Sequence, residues 1–192
     1  MERGILQMLT LETGRPSDCT GRLEREIATY DLLDRLGIPY ARVDHEAAFT
    51  MTACEEIDRV LAPAVICKNL FLCNTQGTQF YLLMLREDKR FRTKDISGQL
   101  GVARLSFAPE ERLQELLGLT PGSVSVLGLM NDRVRRVRLL IDRDILTSEW
   151  FGCHPCINTS SLRLRVRDLT DRFLPAIGHS FTPVMASGTP QG

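Results

Sequence analysis

Two apolar runs separated by a short polar turn dominate the middle of the chain: AVICKNLFLCN (64–74), then TQGT, then QFYLLMLR (79–86). Both are β-prone and they flank a glycine, the pattern of a hairpin in the core of a sheet. Central strands of this kind must be covered on both faces, so the rest of the chain has to supply further strands and helices.

The flanking segments do so. Leu23, Ile27, Tyr30 and Leu33 recur at helical spacing until Gly37 and Pro39 end the pattern, which predicts a first amphipathic helix. PYARVDH reads as extended. Thr52 and Glu55 have capping-box spacing and open a short helix through Val60, stopped by Pro63. TKDISGQLG and SFAPEERLQELLG predict two more helices, the second with Pro109 near its first turn and Gly118 at its end. RVRLLID is strand-like, SLRLRVRD alternates apolar residues with arginine so that one face is buried and the other presents guanidiniums, and DLTDRFLPAIG is the last expected helix. This order is no strict βαβ alternation, so the expected class is α+β: one domain with a mixed, largely antiparallel central sheet flanked by helices. Residues 20–180 are expected to form it, with residues 1–19 a mobile segment and the Pro- and Gly-containing stretch 181–192 a mobile tail.

With 192 residues, 43% of them hydrophobic, the chain is long enough to bury one real core. Its 24 basic and 24 acidic side chains cancel, so attraction to nucleic acid cannot be inferred from the total. Local basic faces remain open at Arg133–Arg143, at Lys89–Lys94 and at Arg163, Arg165 and Arg167. No run approaches the roughly eighteen apolar residues of a membrane span, and the start of the chain lacks a signal peptide's basic and apolar regions, so a cytoplasmic protein without membrane contact is expected. The six cysteines are scattered through apolar stretches, as thiols of a reducing compartment would be. The commonest phosphate-cradling glycine motifs are absent.

Cys153-His154-Pro155-Cys156 invites three readings: a redox pair, half a metal site, or a turn. A redox cysteine needs a helix amino terminus behind it to stabilise the thiolate, whereas INTSSLRLRV continues as a turn and a strand. A structural zinc needs four ligands, and Cys67 and Cys73, in a predicted strand, are expected to point to opposite faces. As a turn, Pro155 fixes φ while Asn158 and Thr159 satisfy local backbone groups. Two further features stand out. Lys68 interrupts a strand where an ammonium is costly unless it reaches a cleft, a partner or an open sheet edge. PGSVSVLGLMND holds Gly122, Ser123, Ser125 and Gly128, a loop able to present backbone N–H groups to an anion or carbonyl.

A lysine in a strand, a glycine-rich loop and a His-Pro loop, in this order and carried by ICKNLFL, TPGSVSVLGLMND and FGCHPCINTSSLRL, resemble the YbaK and prolyl-tRNA synthetase-associated editing domain family, in particular its freestanding ProX-like branch. The resemblance spans about residues 30–178. It implies a mixed sheet flanked by helices and an aminoacyl-tRNA deacylase acting on mischarged tRNA, typically alanyl-tRNA(Pro), with no cofactor and no metal. The family lysine falls on Lys68, the loop glycine on Gly122 and the His-Pro pair on His154 and Pro155. The residues expected at the site are Lys68 and His154 as catalytic groups, Gly122, Ser123, Gly128 and Asn158 as substrate-binding groups, and Arg163, Arg165 and Arg167 as tRNA contacts. The expected partners are the acceptor end of mischarged tRNA and, as a candidate recruiter, prolyl-tRNA synthetase. The chain departs from the family pattern where Val126 replaces a loop proline and where Cys156 follows His-Pro in place of a frequent asparagine. The alternatives are a tRNA-binding module without catalysis, built on the arginines, and a thiol oxidoreductase built on Cys153 and Cys156.

Overall fold

The computed structural model describes residues 9–47 and 51–187, residues 51 and 52 by their backbone alone. In chain order the elements are β1 (Glu12–Thr13), α1 (Glu24–Arg35), β2 (Ala41–Asp44), α2 (Met51–Leu61), β3 (Val65–Asn74), β4 (Phe80–Arg86), α3 (Thr93–Leu100), β5 (Leu105–Phe107) and α4 (Glu110–Leu117). A 3-10 turn (Val126–Asn131) follows, then β6 (Val137–Asp142), α5 (Arg143–Leu146), β7 (Trp150–Cys153) and β8 (Ser160–Arg165). The chain ends in α6 (Val166–Asp168), which runs through a π-helical turn (Leu169–Phe173) into α7 (Leu174–Ala176), and β9 (Phe181–Val184). The helix expected from Thr52 begins at Met51, but its capping side chain lies outside the described residues.

The strands form one mixed sheet in the order β1-β2-β8-β7-β3-β4-β6-β9, with β5 added to β3. Pairing is antiparallel except between β3 and β7, β4 and β6, and β6 and β9, so the class is α+β as expected. The hairpin is central. Its turn is closed by the Asn74 side chain, whose Oδ1 accepts from the amides of Thr78 (2.9 Å) and Gln79 (3.0 Å), while Gly77 takes the positive φ of 65° that the reversal requires.

Period-two alternation sorts β4 between two cores. Phe80, Leu82 and Met84 join Tyr30 and Leu33 of α1, Leu116 and Leu117 of α4 and Leu127 of the 3-10 turn on one face. Tyr81, Leu83 and Leu85 join Ile96 of α3 and Leu140 on the other. A smaller cluster seats α2 through Ile57 and Leu61 on Val43, with Ile66 against it. Among the described residues no helix is long and apolar enough to cross a membrane.

β3 forks the sheet. On the edge away from β4 it pairs with β7 at Val65 and Ile66 and with β5 at Leu72–Asn74, and Phe71 O accepts from the Ala108 amide, so residues 67–70 have no ladder partner on that edge among the described residues. The gap resolves the oddity of Lys68: the strand carrying it is central in the sheet, yet open along this stretch.

Three expectations need correction. Part of the amino-terminal segment is ordered, with Glu12 and Thr13 pairing with Arg42 and Ala41 and the buried Arg42 meeting Glu12 and Asp44. Part of the tail forms β9, parallel to β6, with Val184 buried. Both edges are held by partners far away in the chain, which local composition does not show. Cys67 and Cys73 share a face, both packing on the core of α1 and α4, because six residues is an even number of strand steps.

Candidate active site

The fork in the sheet opens into a cleft of about 430 Å³, the scale of a small-ligand site. Ile66 packs against the α2 cluster and Leu70 against the α3 core, whereas Cys67 packs on the opposite core. By strand alternation Lys68 goes with Ile66 and Leu70, and Asn69 with Cys67. Side chains from both sets line the cleft, which therefore sits at the gap itself. Ile57 and Leu61 of α2 add apolar wall, and Val124, Gly122, His154 and Asn158 come from the two loops singled out in the sequence.

Lys68 reaches two backbone carbonyls of the segment after β4, those of Glu87 (3.0 Å) and Lys89. An ammonium has three donors, so one remains for a ligand. On the same cleft stands Asp58 of α2, whose pKa is pushed up to about 6 by desolvation and by the charges of Glu87 and Glu55. Asp58 and Glu87 both line the cleft, so one wall carries a cation and two carboxyl groups, of which Asp58 takes up a proton near pH 6. Neither acid stood out in the sequence, because α2 and the segment after β4 meet only in the fold. Asn69, next to Lys68, also lines the cleft, its buried Oδ1 without a hydrogen-bond partner among the described residues.

The His-Pro loop is clamped from the glycine-rich loop: Ser125 Oγ donates to the carbonyl of His154 at 2.6 Å. His154 Nδ1 lies 2.9 Å from the carbonyl oxygen of Ser160, and burial holds the imidazole pKa below its ordinary value. It is therefore a neutral ring at pH 7. His45, after β2, faces the same cleft, with its ring centroid 6.4 Å from that of His154. Its only sequence cue was a histidine at the end of an extended run.

The glycine-rich loop does less than expected. Gly122 does line the cleft, at a φ of 83°, near the Asn158 amide. Ser123, by contrast, is buried and donates its hydroxyl to the Thr120 carbonyl at 2.9 Å, locking a turn. The Gly128 amide is engaged by Ser125 O at 3.0 Å, and a Cβ there would stand 2.6 Å from Leu119 Cδ1, so this glycine allows close packing and presents no amide to a ligand. Val126, in the family's proline position, is fully buried at the start of the 3-10 turn. Cys156 holds a φ of 63°, a left-handed conformation that asparagine tolerates better than cysteine.

The arginines divide. Arg163 and Arg165 stack over Trp150, with guanidinium carbons 5.6 and 4.3 Å from the ring centroid. Arg163 also donates to the carbonyls of Leu61 and Ala62, and Arg165 pairs with Glu149. Arg167 is exposed in α6, past the end of the strand, and so does not continue the face of the other two.

The thiols are packing groups. Desolvation raises Cys153 well above the ordinary thiol value, Cys156 to about 11 and Cys67 to about 12, the reverse of a reactive cysteine. β7 and a turn flank the Cys-x-x-Cys stretch, with no helix to lower either pKa.

Comparisons with known proteins bear on the family and the fold. A family model described as the aminoacyl-tRNA editing domain matches residues 45–171. The prolyl-tRNA editing protein ProX of Acetoanaerobium sticklandii is 34% identical over 152 residues, covering 79% of this chain and 92% of that protein. The prolyl-tRNA synthetase associated domain-containing protein 1 of Mus musculus is 30% identical over 156 residues, covering 78% and 90%. Among solved structures, the hypothetical protein APE2540 superposes with a TM-score of 0.63 at 17% identity, over 84% of this chain and 99% of that one, which shows a shared fold. Matched over most of its length, with a lysine and a histidine loop meeting in one cleft, this chain belongs to the aminoacyl-tRNA editing domain family, a family of editing deacylases.

Proposed function

We propose that the protein hydrolyses the ester of mischarged tRNA(Pro) in trans, with alanyl-tRNA(Pro) as its substrate. The observation that carries this reading is the convergence of Lys68, Gly122, His154 and Asn158 on one cleft beside an apolar wall of Ile57, Leu61 and Ile66. The relatives' names supply the tRNA: one is a prolyl-tRNA editing protein and the other a prolyl-tRNA synthetase associated protein.

An aminoacyl ester is already activated, so the site has to position water and stabilise the oxyanion that forms as water adds to the carbonyl. Lys68 uses its remaining donor on the terminal adenosine or its phosphate. The backbone N–H of Gly122 and the Asn158 amide, both at the cleft, donate to the carbonyl oxygen of the aminoacyl group. His154, neutral, orients the water or the ribose hydroxyl. The water oxygen bonds to the carbonyl carbon, the carbon–ribose oxygen bond breaks, and the proton released by water ends on the ribose oxygen. The apolar wall admits alanine and excludes the larger proline ring, a sieve by size. Arg167 and the Arg163–Trp150–Arg165 stack supply the basic surface for the acceptor stem, and prolyl-tRNA synthetase is the recruiting partner.

The test is deacylation of a panel of mischarged tRNAs under single turnover. Alanyl-tRNA(Pro) is expected to be hydrolysed much faster than prolyl-tRNA(Pro) or alanyl-tRNA(Ala). Equal rates across the panel, or salt-dependent binding without hydrolysis, would remove the substrate assignment.

A further inference from the structure

Two histidines border the cleft, and a serine joins them. Ser161 of β8 places its Oγ 2.9 Å from His45 Nε2 and 3.4 Å from His154 Nδ1. Each ring is also tied to a backbone carbonyl: His45 Nδ1 lies 2.8 Å from Glu46 O, and His154 Nδ1 lies 2.9 Å from Ser160 O.

These four contacts fix the protons. A carbonyl oxygen only accepts, so Nδ1 of each ring must carry its hydrogen. With Nδ1 protonated, the neutral His45 ring has a lone pair at Nε2, and the Ser161 hydroxyl donates there. The hydroxyl's own lone pair then takes the longer branch of the hydrogen bond from His154 Nδ1. The other tautomer of either neutral ring would set a lone pair against a carbonyl oxygen, so one arrangement satisfies the whole set. In it, His154 Nε2 is unprotonated and has no partner among the described residues.

We propose that His45 and Ser161 are positioning residues for the deacylation proposed above, holding His154 in the tautomer whose Nε2 lone pair is free for water or for a ribose hydroxyl. The relay is built to persist. Ser161 is buried, and the backbone around it is paired, because the His45 amide donates to Thr159 O at 3.0 Å and Ser161 lies opposite Val43 in the β2–β8 ladder. Burial disfavours charge on His154, which keeps that lone pair available. Removing a partner that orients a metal-bound histidine lowers activity roughly ten- to a hundredfold, and a loss of that order is expected here.

The experiment combines ring nitrogen NMR of the full chain, labelled with 15N-histidine, with single-turnover deacylation. In the wild type, His154 is expected to show a protonated Nδ1 and a bare Nε2 at neutral pH. Ser161→Ala and His45→Phe should shift the His154 ring signals toward a mixture of tautomers and lower the rate about tenfold or more, with KM little changed. Ser161→Thr keeps a hydroxyl, and His45→Gln keeps an acceptor for it, so both should retain the wild-type ring signature and most of the rate. A wild-type His154 protonated at Nε2, or folded Ser161→Ala and His45→Phe proteins with wild-type rates, would overturn the proposal. So would an aminoacyl adduct trapped on Ser161, which would make that residue a nucleophile. If the wild type deacylates no mischarged tRNA, the functional reading falls and the positioning role with it, while the ring signals still report whether the relay exists.

Discussion

The ammonium of Lys68 lies 3.0 Å from the carbonyl oxygen of Glu87, and the Glu87 side chain shares the cleft wall with Asp58 of α2, whose pKa its charge helps to raise. One lysine thus ties the open edge of β3 to the segment after β4, beside the helix that walls the cleft. Its charge is partnered within the protein, so removing it leaves two carbonyls short of a donor. Lys68→Ala is expected to lose about 1 kcal/mol of stability, the scale of one or two hydrogen bonds that water can partly replace. The deacylation rate should fall on the order of a hundredfold, the cost of removing one electrostatic contact to the reacting end. Lys68→Arg should restore stability better than rate, since a planar fork does not reproduce a compact ammonium. Single-turnover hydrolysis and urea unfolding of both variants separate the two effects, and a wild-type rate in Lys68→Ala would remove Lys68 from the site.

Asp58 makes stability depend on pH. Its pKa is raised by desolvation and neighbouring carboxylates to about 6 in the folded state, above the ordinary aspartate value of about 4. Between those two values the folded protein binds more protons at this site than the unfolded chain does, so its contribution weakens the fold as pH rises through that window. Asp58→Asn should therefore gain stability relative to wild type from about pH 4 to pH 6, with the gap constant above it. Denaturant midpoints of both proteins across that range measure it, and a pH-independent difference would show that Asp58 titrates normally.

The raised thiol pKa values predict slow alkylation. In the native protein Cys19 and Cys54, partly exposed, should react first with a maleimide, whereas Cys73, Cys153 and Cys156, buried, should be modified only on unfolding. Mass mapping after a short pulse checks this. Rapid labelling of Cys153 or Cys156, or a disulfide between them formed by mild oxidant, would bring back the thiol chemistry that their surroundings argue against.

The arginines should separate into structure and affinity. Arg163→Ala removes a stack on Trp150 and donors to the carbonyls that end α2, so it should lower the unfolding midpoint. Arg167→Ala, at an exposed position, should leave stability within about 0.5 kcal/mol. It should also weaken tRNA binding and reduce the salt slope by about one. Binding isotherms at several salt concentrations decide it; an unchanged slope would make Arg167 a solvated surface residue.

Deleting residues 181–192 should destabilise the domain. β9 buries Val184 against the α3 core, with Ala186 just after it, and pairs along β6. One buried valine alone accounts for about 1.5 kcal/mol or more. A lowered melting temperature is expected, and an unchanged one would mean that β9 adds nothing to the sheet.

Much of the scaffold was legible because it rests on local patterns. The hairpin, the helices ended by Gly37, Gly101 and Gly118, and the alternating strand before the last helix follow from apolar periodicity and from glycine's ease at positive φ, which all three adopt. Lys68 and His154 were legible as chemistry out of place: an ammonium in an apolar strand and a histidine in a constrained turn. Tertiary structure decided whatever depends on which strand lies beside which. β3 has an unpaired stretch because β7 and β5 are too short to cover it, a property of three segments distant in the chain. β1 and β9 are ordered by partners that no local window contains. Ser123 and Gly128 share Gly122's composition cue, yet their hydrogen bonds turn inward and hold the loop's shape. His45, Asp58 and Ser161 carried no signal of their own, since a titratable or hydroxyl side chain takes a role only from what packs against it. The sequence determined most of the elements and four of the groups in the cleft, Lys68, Gly122, His154 and Asn158; packing determined the cleft, its acidic wall and the partners of its histidine.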